Sequence, residues 1–190
     1  MSITSFLKKP RGFTIVELLI VIVIIGILAS ITIVSYAGVT QRTENNKTIA
    51  AVQAVMSVMT KIKAETGRFP LSDEIGGDYT CVGIYVDAKC ASISGVYAPS
   101  AAMGIAYSLA QFETLVKKYN GNVLPQPSIQ TPTIDGFVVT GVFIGVQQTI
   151  GASYSITWVL SGTGDCGIKA ATKRFQDDGG RVCYFNGVVQ

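Results

Sequence analysis

Between Glu17 and Arg42 the chain carries no charged side chain, and this interval constrains its fold more than any other feature. Residues 18–34 are apolar apart from Gly26, Ser30 and Thr32, and thirteen of these seventeen residues are Ile, Leu or Val. At roughly −0.3 to −0.6 kcal/mol each, they favour insertion into a bilayer by about −4 to −8 kcal/mol, which outweighs the polar minority. In water, so many β-branched residues lean toward strand. In lipid a lone segment must satisfy its own backbone hydrogen bonds, and a helix does so. A helix over the charge-free residues 18–41 is about 36 Å long at ~1.5 Å per residue, enough to span the hydrocarbon core. The sequence therefore predicts one membrane helix.

The flanks orient it. Lys8, Lys9 and Arg11 precede the run, so the positive-inside rule leaves the N-terminus in the cytoplasm and everything after Val34 outside. A cleavable secretory signal also begins with cations and an apolar stretch. This run exceeds a usual signal core, lacks a small-x-small cleavage site and continues into a further helical pattern. Glu17 is the anomaly, because a carboxylate at the mouth of an apolar helix is expensive to desolvate and is a functional candidate by default. The plainer reading is a side chain that snorkels to the headgroups.

Composition removes several function classes. The 190 residues include no histidine, which excludes a Ser-His-Asp triad, a Cys-His dyad and His-ligated zinc. Fifteen Lys and Arg stand against twelve Asp and Glu, and Lys8, Lys9 and Arg11 account for the excess. The remainder is balanced, so a nucleic-acid protein with a basic face is not indicated. No nucleophile–base constellation, phosphate loop or cofactor motif is present, so the chain is not read as an enzyme and no cofactor is expected.

Gly12-Phe13-Thr14-Ile15-Val16-Glu17-Leu18-Leu19-Ile20, preceded by Lys8, Lys9 and Arg11, resembles the leader-peptide junction of type IV pilins and pseudopilins. The resemblance covers about the first thirty-five residues and matches the rest only in outline. It implies that a prepilin peptidase and methyltransferase cuts between Gly12 and Phe13 and methylates the Phe13 amine, and that Glu17 serves subunit assembly. It implies a structural subunit of a type IV pilus, a homopolymer held through its N-terminal hydrophobic helix and built on a pilus assembly platform. Such a subunit rests in membrane lipid before assembly and lies in an extracellular fibre at the cell surface afterwards. The alternatives are a pseudopilin of a type II secretion or DNA-uptake system and, with less support, a membrane-anchored binding domain. The chemistry is coherent: cutting at Gly12 removes three cations and exposes an amine whose unperturbed pKa is near ~8, and methylation keeps its charge. Glu17 lies four residues further on, on the same helix face, so the carboxylate of one subunit can neutralise the amine of a neighbour. Many members carry a proline close to where Val34 stands. Here no proline occurs between Pro10 and Pro70, so the associated bend has no support, although Gly26, Ser30 and Ser35 loosen the helix locally.

Beyond the apolar run, Ile49, Val52, Met56, Met59 and Ile62 recur at spacings of three and four, the stripe of an amphipathic helix over residues 42–66. Gly67 and Pro70 supply the stop. Residues 73–78 read as a Gly-containing acidic loop, 101–119 as a second helix closed by Asn120-Gly121, and 122–132, with three prolines, as a linker or loop. Strands are predicted over 137–147, over 153–160 with Tyr154, Ile156, Trp158 and Leu160 on one side, and over 181–185. The fold class is therefore α+β, consistent with the pilin-like architecture that the resemblance implies: a long N-terminal helix, part membrane and part amphipathic, packed on an antiparallel β-sheet head. The organisation is a leader over 1–12, the helix over 13–66 with its transmembrane part about 15–36, and a globular head over 67–190.

Cys81, Cys90, Cys166 and Cys183 include no C-x-x-C, which argues against a zinc ribbon or a thioredoxin-type site. Outside the cytoplasm two disulfides are the natural reading. Three pairings are open, and proximity in sequence favours 81–90 with 166–183. The second loop then resembles the disulfide-bounded C-terminal region of many pilins. It holds Lys169, Lys173, Arg174 and Arg181 against Asp177 and Asp178. Some minor pilins bind DNA through basic strips, but four cations offset by two anions read as a solvated loop. Asp165, Asp177 and Asp178 lack an EF-hand spacing, so no metal site is assigned there. Asn46 heads an N-K-T triplet on a predicted helix, a weak glycosylation signal.

Overall fold

A computed structural model describes residues 12–83, 89–94, 105–107, 109–129, 132–134, 137–146, 151–177 and 179–188. The leader cations Lys8, Lys9 and Arg11, the first residues of the helix expected over 101–119, and Asp178 lie outside them. Two compact units divide the chain, Met1–Thr40 and Gln41–Gln190, and helix α1 (Ile15–Thr66) contributes to both.

In the first unit the described side chains are exposed on every face of α1: Leu19, Val21, Ile24 and Leu28 are all about half exposed or more. The polar interruptions are satisfied within the helix. The hydroxyls of Ser30 and Thr32 donate to the carbonyls of Gly26 and Ala29 at 2.8 and 2.9 Å. Thr40 donates to Tyr36 at 3.0 Å. A segment of this length and composition is able to cross a membrane.

The second unit is α+β. It holds the rest of α1, the single turn α2 (Ser72–Ile75) and α3 (Ala110–Tyr119). Its strands are β1 (Tyr79–Cys81), β2 (Lys89–Ser94), β3 (Ile105–Tyr107), β4 (Thr133–Ile134), β5 (Phe137–Val146), β6 (Ser153–Ser161), β7 (Thr172–Gln176) and β8 (Gly180–Val188). They form one antiparallel sheet of order β3-β2-β5-β6-β8-β7, with β1 and β4 also paired to β5. β6 is its centre, pairing with β5 from Val142↔Trp158 to Val146↔Tyr154 and with β8 from Ser153↔Val188 to Ser161↔Gly180.

Alternation decides which residues meet α1. Tyr154, Ile156, Trp158 and Leu160 fall on one side of β6 and join Val52, Val55, Val58, Met59 and Ile62 of α1 with Phe112 and Val116 of α3 in the main core. The buried stripe on α1 is broader than the spacing rule predicts. Val55 and Val58 are fully buried, while Ile49 and Met56 are only partly so. The reason is that the helix also carries α3 and the loop before β4: Lys61 Nζ donates to the carbonyl of Tyr119 at 2.8 Å, and the buried Ser128 N–H donates to Thr48 Oγ1 at 3.1 Å. The other sheet face is covered by a smaller cluster of Cys81, Cys90, Ile134, Phe143, Val159 and Val182. That explains why β6 is buried on both sides.

Two expectations are corrected. The single helix expected over 101–119 is instead a strand followed by a helix, because Ile105–Tyr107 pairs with β2 and α3 begins only at Ala110. Sheet pairing overrides a helical periodicity that three residues are too few to defend. The acidic loop at 73–78 contains a helical turn, closed at Gly76 with φ 88°. Glu74 organises it: its carboxylate accepts from the Leu71 N–H at 2.8 Å and forms a two-pronged pair with Arg68, both contacts at 2.8 Å. That partner pulls the Glu74 pKa down to about 2.

Candidate functional site

The residues singled out for processing and assembly lie where α1 begins. Gly12, Phe13 and Thr14 precede the helix in irregular conformation, and Phe13 is 80% exposed. A Cβ on Gly12 would meet nothing within 4 Å. No steric contact with the described residues demands glycine at this position.

Thr14 and Glu17 form a reciprocal cap. The Thr14 N–H and hydroxyl donate to Glu17 Oε2 at 2.9 and 2.7 Å, and the Glu17 N–H donates back to Thr14 Oγ1 at 3.2 Å. Helix starts leave N–H groups without partners, and a T-x-x-E box satisfies two of them. The spacing Thr14-x-x-Glu17 is the sequence signal for this box, beside the pairing with a neighbour's amine that the sequence suggests for Glu17. The carboxylate also suits the helix N-terminus electrostatically. Its second oxygen, Oε1, takes no hydrogen bond among the described residues, so the group retains an accepting position for a further donor.

The cysteines are bonded as Cys81–Cys90 and Cys166–Cys183, each with Cα atoms 5.7 Å apart. The first bridge sits in the cluster on the outer sheet face and the second in the main core. By the loop-entropy relation, loops of 9 and 17 residues contribute about 2.5–3 kcal/mol each.

Among the described side chains, Arg181 does not join Lys169 and Lys173 in a surface strip. Arg181 is 6% exposed and turns inward: Nε donates to the Asp165 carbonyl at 2.7 Å, and Nη1 to the carbonyls of Gly162 and Ser161 at 2.6 and 3.1 Å. Burial lowers its pKa, and Asp165 opposes that shift. Lys169 and Lys173 flank a shallow open depression shared with Asp165. Asp177 Oδ1 is taken by the N–H groups of Gly179 and Gly180 at 2.8 and 3.0 Å. Among the described residues no three acidic, Cys or His side chains come together as a metal site. Asn46 is exposed, but the hydroxyl of Thr48 in the same triplet is buried and accepts from Ser128.

The N-terminal part of the chain is similar to known proteins. The family described as the prokaryotic N-terminal methylation motif matches residues 7–33. Type II secretion system core protein G of Dickeya chrysanthemi is 30% identical over 67 residues, 35% of this chain and 44% of that protein. The protein of the same name from Klebsiella michiganensis is 33% identical over 67 residues, covering 35% and 47%. The fimbrial protein of Neisseria meningitidis serogroup B is 32% identical over 90 residues, 47% of this chain and 48% of that protein. The chain thus spans somewhat less than half the length of these relatives. No solved structure matches it.

The matched residues are those of the capped, acidic start of α1 and of its apolar first part, and the second unit of the chain is an α+β head. Over this segment the chain carries the prokaryotic N-terminal methylation motif and is similar to a type II secretion core protein and to a fimbrial protein, names of the type IV pilin and pseudopilin kind.

Proposed function

We propose that the chain is made as a precursor, cut between Gly12 and Phe13, methylated on the Phe13 amine, and polymerised through its N-terminal helix into a type IV pilus. The observation that carries this reading is the first part of α1, apolar on every exposed face and opened by a carboxylate with accepting capacity to spare. Such a surface is satisfied by lipid tails or by copies of itself, and the leader decides between them. With Lys8, Lys9 and Arg11 attached, three cations hold the helix at the cytoplasmic headgroups. Removing them leaves one amine, which Glu17 of a neighbour neutralises. The helix residues over about 15–36 then form the transmembrane part before assembly, and the head lies outside the cytoplasm. The partners of this scheme are further copies of the chain, the prepilin peptidase and methyltransferase, and a pilus assembly platform.

The freedom at Gly12 supports recognition by an enzyme as the reason for glycine there. Gly12→Val is expected to leave the fold and membrane insertion intact while blocking cleavage. Mass spectrometry of fibres sheared from cells decides the scheme: subunits beginning at methylated Phe13 support it, and subunits still beginning at Met1 overturn it. A second reading, a pseudopilin of a type II secretion system, is favoured by the several relatives that carry that name. The longer match to a fimbrial protein supports the pilus. Loss of an exported enzyme on deletion, with no surface fibres at native expression, selects the pseudopilin.

A further inference from the structure

The charge-free stretch leaves one quantity open. Residues 18–41 form about 36 Å of helix, whereas a hydrocarbon core is about 30 Å thick, so the charges alone allow the span to slide by some four residues. One side chain removes that freedom. Tyr36 is 75% exposed, and its phenol has no hydrogen-bond partner among the described residues. The hydroxyls of Ser30, Thr32 and Thr40 all donate to the helix's own backbone. In hydrocarbon those three are tolerated, and a bare phenol is not. At the headgroups Tyr36 gains a partner, as its apolar ring meets the acyl boundary and its hydroxyl meets the polar layer. The spacing agrees: Tyr36 is nineteen positions after Glu17, about 28 Å of helix, which matches one hydrocarbon thickness. Arg42, the first charge beyond the run, then lies about 9 Å further out, in water.

We infer that Tyr36 is the depth anchor of the unassembled subunit, binding the outer phospholipid headgroup layer and fixing which residues of α1 the bilayer holds. This deepens the membrane reading made above and rests on it. The anchor leaves the headgroups when the subunit joins a fibre, so it sets a cost of extraction at the outer end of the helix while Glu17 and the Phe13 amine set one at the inner end.

The four native cysteines are paired, so an introduced thiol is the one free thiol of the described chain. Ile33→Cys and Val39→Cys are made separately in the full-length chain, reconstituted in phosphatidylethanolamine–phosphatidylglycerol vesicles and exposed on both sides to a membrane-impermeant maleimide. Labelling is expected at position 39 and not at 33. Adding Tyr36→Leu is expected to cut labelling at position 39 several-fold as the helix sinks, and Tyr36→Trp to restore it. Equal labelling at 39 with Tyr36 and with Tyr36→Leu overturns the anchor. If the chain fails to float with the vesicles, and position 33 labels as readily as 39, the membrane span itself falls and the anchor with it. Vesicle flotation therefore separates the two failures.

Discussion

Glu74 shows how a single exposed contact can shape the acid behaviour of the head. Its pKa falls to about 2, chiefly because of the Arg68 pair, so its folded state binds a proton less readily than its unfolded state. The stabilisation is therefore fully present above its ordinary value near 4.5 and is lost as pH falls toward about 2. Both side chains are well exposed, so the contribution is small and screened by salt. Glu74→Gln is expected to flatten the dependence of melting temperature on pH between those limits, with the two proteins converging at the acid end; an unchanged slope would count against the pair. Arg181 is the opposite case, a buried cation whose desolvation is offset by three backbone carbonyls. Arg181→Met keeps the bulk and removes the donors, and urea denaturation is expected to show a loss of about 2–4 kcal/mol.

At the scale of elements, the connection between β6 and β7 is held from two directions. Arg181 and Cys183 grip it from the same face of β8. From α1, the Asn45 amide clamps Ser161, its Nδ2 donating to the Ser161 carbonyl and its Oδ1 accepting from the Ser161 N–H, both at 2.9 Å. Asn45→Ala is expected to cost about 1–3 kcal/mol, because the Ser161 N–H loses this acceptor. Since Asn45 and Arg181 share the Ser161 carbonyl, a double-mutant cycle should show coupling of about 0.5–3 kcal/mol, and strict additivity would refute a shared clamp. These contacts mark where sequence reading stops. The long helix, its stop at Gly67 and strand β6 were legible because periods of 3.6 and 2 run over many residues there, and β5 and β8 because apolar, β-favouring runs stand between Gly-containing loops. β1, β3, β4 and β7 span two to five residues each, too few for a period to register, and they exist through pairing with β2, β5 and β8. The Thr14–Glu17 box was written in four residues and was readable, whereas the inward turn of Arg181 depends on a loop whose carbonyls no local pattern announces.

For the molecule as a whole, the question the proposed scheme raises is what lets a subunit exchange lipid for neighbours. The apolar surface of the first unit is indifferent, since acyl chains and other helices both satisfy it. Selectivity then has to come from polar groups at its ends, and Glu17 has two candidate duties there: to cap its own helix through Thr14, and to offer charge to the amine of another copy. Two substitutions separate them. Glu17→Gln can keep the reciprocal box, because glutamine serves at that position, but it has no charge to pair. Thr14→Ala keeps the charge and removes the hydroxyl half of the box. If pairing between copies governs assembly, both variants insert and are cleaved, Glu17→Gln yields few sheared fibres, and Thr14→Ala yields fibres near the normal amount. If capping governs, the order of the two yields reverses. Fibre mass per cell, measured alongside the N-terminus of the membrane-held pool, reads the difference, and an equal and normal yield from both would remove Glu17 from assembly altogether.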